Sequence, residues 1–181
     1  RKALLFSAGD VRLAVRLAHL REIVAVPPEE GEVRVRGEQV PAAFVYAGSA
    51  IGVALAGDLV TVFAFWELMA VGSTLVLWSQ GKASAYGAAR RYLMVHLLGG
   101  VLLFAGVTGH IAQTGEVAFT RMALDSPAHW LILIGFLVNA GAPPLSAWLP
   151  DAYPEASWSG TVFLSAFTTK AAVYVLIRGF P

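Results

Sequence analysis

Apolar residues first fall at every second position and then in long unbroken runs. Leu4 and Phe6, then Val11, Leu13, Val15 and Leu17, alternate with small or charged residues on either side of Ala8-Gly9-Asp10. That spacing predicts two strands joined by a turn. Ala18 to Val26 reads as a short helix ended by Pro27-Pro28, and Glu32 to Val40 alternates again as a third strand. After Val40 the pattern changes. Five apolar runs follow, at residues 41–57, 59–78, 92–112, 129–149 and 161–177, of a length that suits helices crossing a hydrocarbon layer about 30 Å thick. Asp58 marks a tight turn between the first two runs. A polar link with Lys82, Arg90 and Arg91 precedes the third, and a loop with Glu116, Arg121 and Asp125 precedes the fourth. Pro143-Pro144 breaks the fourth run, and the short acidic loop PDAYPEASWSG leads to the fifth. The expected fold is an all-α polytopic membrane bundle of about five transmembrane helices, one of them broken by proline, preceded by a small β-rich segment over residues 1–40.

Composition strengthens the membrane reading. The chain is 57% hydrophobic and only 14% charged, with mean hydropathy +0.66, whereas soluble domains carry roughly 25% charge. A net charge of +1 provides no electrostatic footprint for nucleic acid, and the absence of cysteine excludes disulfides and thiolate metal sites. No GxxxxGK or GxGxxG run and no HExxH spacing is present, so no nucleotide, cofactor or metal is expected and no self-contained catalytic site is read. The opening RKALLFSAGD lacks the apolar core and cleavage site of a signal peptide. A start without Met and a stop at Pro181 directly after a hydrophobic run read as a fragment.

Basic residues set the expected orientation, because cytoplasmic segments keep an excess of Lys and Arg. Seven of the thirteen lie in residues 1–36 and three in residues 79–91, against one in residues 113–128. The N-terminus and residues 79–91 are therefore expected in the cytoplasm, with Asp58 and the 113–128 loop outside. Small residues in the first run (Ala42, Ala43, Ala47, Gly48, Ser49, Ala50) and Gly99, Gly100 and Gly106 in the third predict close helix contacts.

Four polar side chains deep within the apolar runs stand out: Glu67, His96, Asn139 and Lys170. A charge at the bilayer centre costs a few kcal/mol on insertion scales of about 2.5–3.5, so such residues face protein or water and commonly pair or line an ion path. Glu67 and Lys170 are the leading candidates on that ground. His96 and Asn139, taken singly, also suit hydrogen-bonded packing roles. The proline pair removes a backbone donor and frees carbonyls near Asn139 and Ala140 to bind water or a cation, a device of transporters, although a packing kink has the same sequence.

The strings FWELMAVGS, RRYLMVHLLGG, AGAPPLSAWLPDAYPEAS and LSAFTTKAAVYVLIR resemble the antiporter-like membrane subunits shared by Mrp-type cation/proton antiporters, respiratory complex I and membrane-bound hydrogenases. The likeness runs from about Ala42 to Phe180. It implies the middle helices of one long subunit, working with other membrane subunits of a hetero-oligomeric complex in a bacterial inner membrane, and moving H⁺ or Na⁺. By the same resemblance Glu67 corresponds to the family's intramembrane glutamate and Lys170 to the lysine after the PEA loop. The lysine that the family places on its broken helix is Asn139 here, and the histidine after its Pro-Leu pair is Ser146. The pair of that lysine with Glu67 is thus absent, which leaves His96 and water to share proton transfer. Residues 1–40, through LLFSAGDVRLAVRLAHLREIVAVPP and VRGEQVP, are similar to the start of CheW-like chemotaxis coupling domains. A membrane-tethered coupling module and an inactive composite fragment are the competing readings, but mere anchoring needs neither Glu67 nor Lys170.

Overall fold

The computed structural model describes residues 3–8, 11–16, 23–26, 33–34 and 39–180. The Gly9-Asp10 turn and Pro27-Pro28 lie outside these. Strands β1 (Ala3–Ala8), β2 (Val11–Arg16), β3 (Ile23–Val26) and β4 (Val33–Arg34) pair antiparallel in sequence order. Two expectations change here. The second half of the stretch expected to be helical is β3, where β-branched Ile23, Val24 and Val26 favour extended backbone. The expected strand over residues 32–40 is cut to Val33–Arg34, and Gln39 already begins a helix.

The remainder is helical: α1 (Gln39–Leu55), α2 (Leu59–Trp78), α3 (Ala83–Thr114), α4 (Pro127–Ala140), α5 (Trp148–Ala152) and α6 (Trp158–Gly179). Helix α2 has the bounds expected from sequence. Asp58 caps it, accepting from the Thr61 N–H at 2.8 Å and the Thr61 hydroxyl at 2.6 Å. The Thr61 hydroxyl, followed by the N–H, holds the Asp58 carboxyl below its usual range, so the charged cap persists until acid reaches that depressed value. Helix α3 is longer than expected, because alanines at 83, 85, 88 and 89 carry the polar link into the helix.

Among the described residues α2, α3, the segment Pro127–Glu155 and α6 are long and apolar enough to cross a membrane, while the apolar part of α1 covers Pro41–Leu55. At 1.5 Å per residue that part spans roughly 23 Å, short of a typical hydrocarbon core. The five expected spans are therefore four of full length and one short helix. The burial pattern is inverted relative to a water-soluble bundle. Phe44, Leu55, Val101, Val162, Trp158 and Ile177 are exposed, while Ser49, Ser73, Thr74, His96, Asn139 and Thr168 are buried. An apolar exterior around an apolar core that also holds a few buried polar side chains is what lipid as solvent permits.

Close helix contact occurs at fewer glycines than the sequence suggests. Gly48 has nothing near its missing side chain, whereas a Cβ on Gly72 of α2 would meet the backbone of Tyr46 in α1 at 2.9 Å. Gly106 of α3 is equally tight: its Cβ would lie 2.7 Å from the Ala128 carbonyl and the Ile132 nitrogen of α4.

The two ends of the bundle are fastened differently. At one end Leu59 N–H donates to Val117 O at 2.8 Å, Phe119 N–H to Gly57 O at 3.0 Å and Met122 N–H to Gly179 O at 2.8 Å. Arg178 adds a bond to Ala56 O at 2.6 Å and lies over the Phe119 ring at 4.5 Å. At the other end Arg91 grips Asp151 with two bonds of 2.7 Å, and Ser84 donates to Glu155 at 2.7 Å. Asp58 and residues 115–126 thus share one end, and residues 79–91 share the other with the loop after α4. Single cysteines at Ser84 and Thr120, both exposed, are expected to label from opposite sides of the membrane, Ser84 from the cytoplasm. Labelling of both from one side would overturn that topology.

Candidate functional site

Three of the polar groups singled out from the sequence, Glu67, His96 and Asn139, come to one short stretch of α3. His96, Gly99 and Gly100 are one turn apart on its buried face. The Glu67 carboxyl, carried by α2, lies directly over Gly100: a Cβ there would sit 1.9 Å from Oε1 and 2.7 Å from Cδ. From α4, Asn139 reaches the neighbouring residue, with its Oδ1 3.4 Å from the point a Gly99 Cβ would occupy. A glycine pair under these groups is needed because any side chain would fill the space they use.

Packing holds the cluster in place. Trp66 stacks on Phe136 at 5.0 Å, joining α2 to α4 one turn before Asn139. The His96 ring packs against both Tyr92, at 4.0 Å, and Trp148, at 4.8 Å, which also touch each other at 5.4 Å. Trp148 belongs to α5, beyond the break, and its indole donates to the Val138 carbonyl at 3.0 Å. Helix α4 ends at Gly141, whose φ of 68° is left-handed, ahead of the cis Pro143-Pro144 bond. Sequence alone leaves the carbonyls around the break free for water or a cation. In the structure the Val138 carbonyl accepts from both the Gly141 N–H and the Trp148 indole, so Pro143 and Pro144 turn the chain and α5 packs back against the end of α4.

Within this cluster, polar atoms are buried without partners. Trp66 Nε1, Glu67 Oε1, both ring nitrogens of His96 and both amide atoms of Asn139 make no hydrogen bond. Leaving a buried donor or acceptor unsatisfied costs about 1–3 kcal/mol each. These atoms come from four side chains on α2, α3 and α4, of which Glu67 lies against Gly100 and Asn139 against Gly99, and unsatisfied groups of this kind suit water, a proton or a small cation.

A second network begins at Tyr92. Its hydroxyl donates to Ser73 Oγ at 2.9 Å and lies 3.4 Å from Thr168 Oγ1. Thr168 Oγ1 bonds the Tyr46 hydroxyl, which also accepts from the Thr168 N–H at 3.0 Å. Four helices are thereby linked: α1, α2, α3 and α6. Lys170 is placed elsewhere. It is exposed on α6, and its Nζ donates to Thr169 Oγ1 at 3.4 Å rather than to Glu67. Two residues of helix rotate a side chain by about 200°, so with Thr168 turned inward Lys170 is turned outward. The structure thus brings together Glu67, His96 and Asn139 and leaves Lys170 outside. Sequence reasoning missed Trp66, Gly100 as the seat of a carboxylate, and the hydroxyl network. The shared face of His96 and the Gly99-Gly100 pair was the signal for the seat.

Comparison with known proteins matches this arrangement to one family. The model described as NADH:quinone oxidoreductase/Mrp antiporter, transmembrane, matches residues 56–181. NADH-quinone oxidoreductase subunit M of Pseudomonas aeruginosa is 31% identical over 150 residues, covering 72% of this chain and 30% of that protein. A Na⁺/H⁺ antiporter subunit of Alkalihalophilus pseudofirmus is 29% identical over 145 residues, covering 74% of this chain and 18% of that protein. Among solved structures, the Mrp complex from Dietzia sp. DQ12-45-1b matches with TM-score 0.70 and 29% identity over 76% of this chain and 28% of the other. An archaeal respiratory membrane complex, the membrane-bound sulfane sulfur reductase, matches with TM-score 0.64 and 28% identity over 71% and 28%. The chain therefore spans less than a third of the length of these relatives. None of these matches supports the likeness of residues 1–40 to chemotaxis coupling domains.

Proposed function

The chain belongs to the NADH:quinone oxidoreductase/Mrp antiporter transmembrane family, and from that premise we propose that it is part of a proton- or cation-translocating subunit in which Glu67, His96 and Asn139 form the ion-handling pocket. The observation that carries this reading is the cluster of unsatisfied polar atoms buried around Gly99 and Gly100. A packing role would have paired them, because a membrane bundle gains nothing from orphaned donors and acceptors. Water or an ion entering the pocket satisfies them. Glu67 holds and releases the proton, His96 provides a second site of exchange, and Asn139, which both donates and accepts, orients whatever lies between.

Lys170 acts at the outer end of this path. The hydroxyls of Tyr92 and Thr168 run from the His96 ring to α6, where Lys170 is two residues beyond Thr168. Its exposed Nζ is open to other helices of such a subunit. The partners of the assembly are other membrane subunits, as the multisubunit complexes of its relatives suggest, and the location is a bacterial inner membrane.

Lys170→Arg and Lys170→Ala test the path. Arginine keeps its proton at essentially all pH values, so it replaces a fixed charge but not a proton carrier. Both variants, in the full-length parent reconstituted into vesicles, are expected to lose ion flux by about a hundredfold, the low end of what a positioned proton-transfer group contributes. Flux retained by arginine and lost by alanine would show that Lys170 supplies charge alone.

A further inference from the structure

A second group of titratable side chains lies at the Asp58 end of the bundle, away from the pocket. His110, near the end of α3, places Nδ1 3.0 Å from Nε2 of His129 in the first turn of α4. His129 Nδ1 in turn lies 2.9 Å from Asp125 Oδ1 and 2.5 Å from the Ala123 carbonyl. Exposure falls along the row: the side chain of Asp125 is 71% exposed, that of His129 is 12% exposed, and His110 is buried. On α3, His110 is fourteen residues from His96, about 21 Å at helical rise. The buried residues between them are Gly99, Gly100, Leu103, Gly106 and Val107, so no polar side chain joins this group to the pocket along that face.

Hydrogen-bond accounting fixes the proton positions. A carboxylate and a carbonyl only accept, so His129 Nδ1 carries a hydrogen. When His129 is neutral its Nε2 is therefore bare, and His110 Nδ1 must be the donor across the 3.0 Å contact. When His129 is charged its Nε2 carries a hydrogen, and His110 must accept at Nδ1 and hold its own hydrogen on Nε2. The two states have the same heavy-atom contacts and opposite tautomers of His110. Two imidazolium rings with centroids 5.1 Å apart would repel, so the pair takes one proton rather than two.

We propose that Asp125, His129 and His110 form a single-proton exchange site at this end of the bundle. A proton arriving at His110 Nε2 forms the new N–H there, the Nδ1 proton passes to His129 Nε2, and the charge comes to rest on His129 beside Asp125. The reverse transfer returns it. Besides the two rings, the charged groups that act on the pair among the described residues are Asp125 and Glu116. The site joins residues 115–126 to the ends of α3 and α4, and it goes beyond the transport reading because it uses none of the pocket residues.

Nitrogen-15 solid-state NMR of histidine-labelled full-length protein in bilayers tests this without measuring flux. Over one pH titration, His129 should gain its second N–H in the same transition in which His110 changes from the Nδ1–H to the Nε2–H tautomer. In His129→Gln the tautomer change should disappear, and His110 should charge by itself with both nitrogens protonated. A wild-type His110 that keeps one tautomer throughout, or that becomes doubly protonated together with His129, would overturn the proposal. The wild-type spectra decide the matter even where the variant fails to insert.

Discussion

Glu67→Gln in the full-length parent is expected to abolish ion flux while leaving insertion and assembly intact. Glutamine keeps the length and shape of the side chain, so its packing over Gly100 is preserved, but it neither charges nor exchanges a proton. The expected loss is about a hundredfold or more, the range of a positioned acid-base group. Flux in vesicles measures the loss, and membrane extraction with recovery of the complex measures insertion. A Glu67→Gln protein with parental flux would make the carboxyl a packing group.

The second large effect comes from a residue without a side chain. A methyl group on Gly100 would occupy the position of the Glu67 carboxyl, 1.9 Å from Oε1, so Gly100→Ala pushes the carboxyl out of its seat on α3. Flux is expected to fall by at least about tenfold, equivalent to about 1.4 kcal/mol. Stability should change little, because the helix-forming gain of alanine over glycine, about 1 kcal/mol, offsets the local crowding. Gly106→Ala is the contrasting variant. Its Cβ meets the backbone of Ala128 and Ile132 rather than the end of a flexible side chain, so the expected outcome is a loss of stability of about 1–3 kcal/mol. A Gly100→Ala protein that keeps parental flux would separate the carboxyl's position from its function.

The sequence carried the apolar runs clearly, since twenty residues with a single charge have few alternatives to a spanning helix, and Leu59–Trp78 has the same bounds in sequence and structure. Where side chains decided local structure, reading was less direct. The stretch from Ala18 mixes helix formers with β-branched residues, and in Ile23–Val26 the β-branched residues are paired with β2. Glu67 was legible because a charge in an apolar run has to be explained. Its seat on Gly100 was not, because glycines that admit a helix and glycines that admit a carboxyl look the same in sequence. Lys170 shows the opposite limit: its chemistry is plain from its type, but its outward direction depends on which face of α6 packs, and Thr168 decides that through bonds to Tyr46 and Tyr92. His110, His129 and Asp125 were not legible at all, since their hydrogen bonds cross between helix ends and a loop.

The measurement that bears most directly on the pocket is infrared difference spectroscopy of the full-length complex in membranes, in which the protonated-carboxyl band of Glu67 is identified by its loss in Glu67→Gln. A proton-handling Glu67 predicts that this band rises and falls as the ion gradient is imposed and released, with the change diminished in Gly100→Ala. A band that keeps constant intensity while the parent transports ions would contradict the role given to Glu67, whatever the variants do to flux.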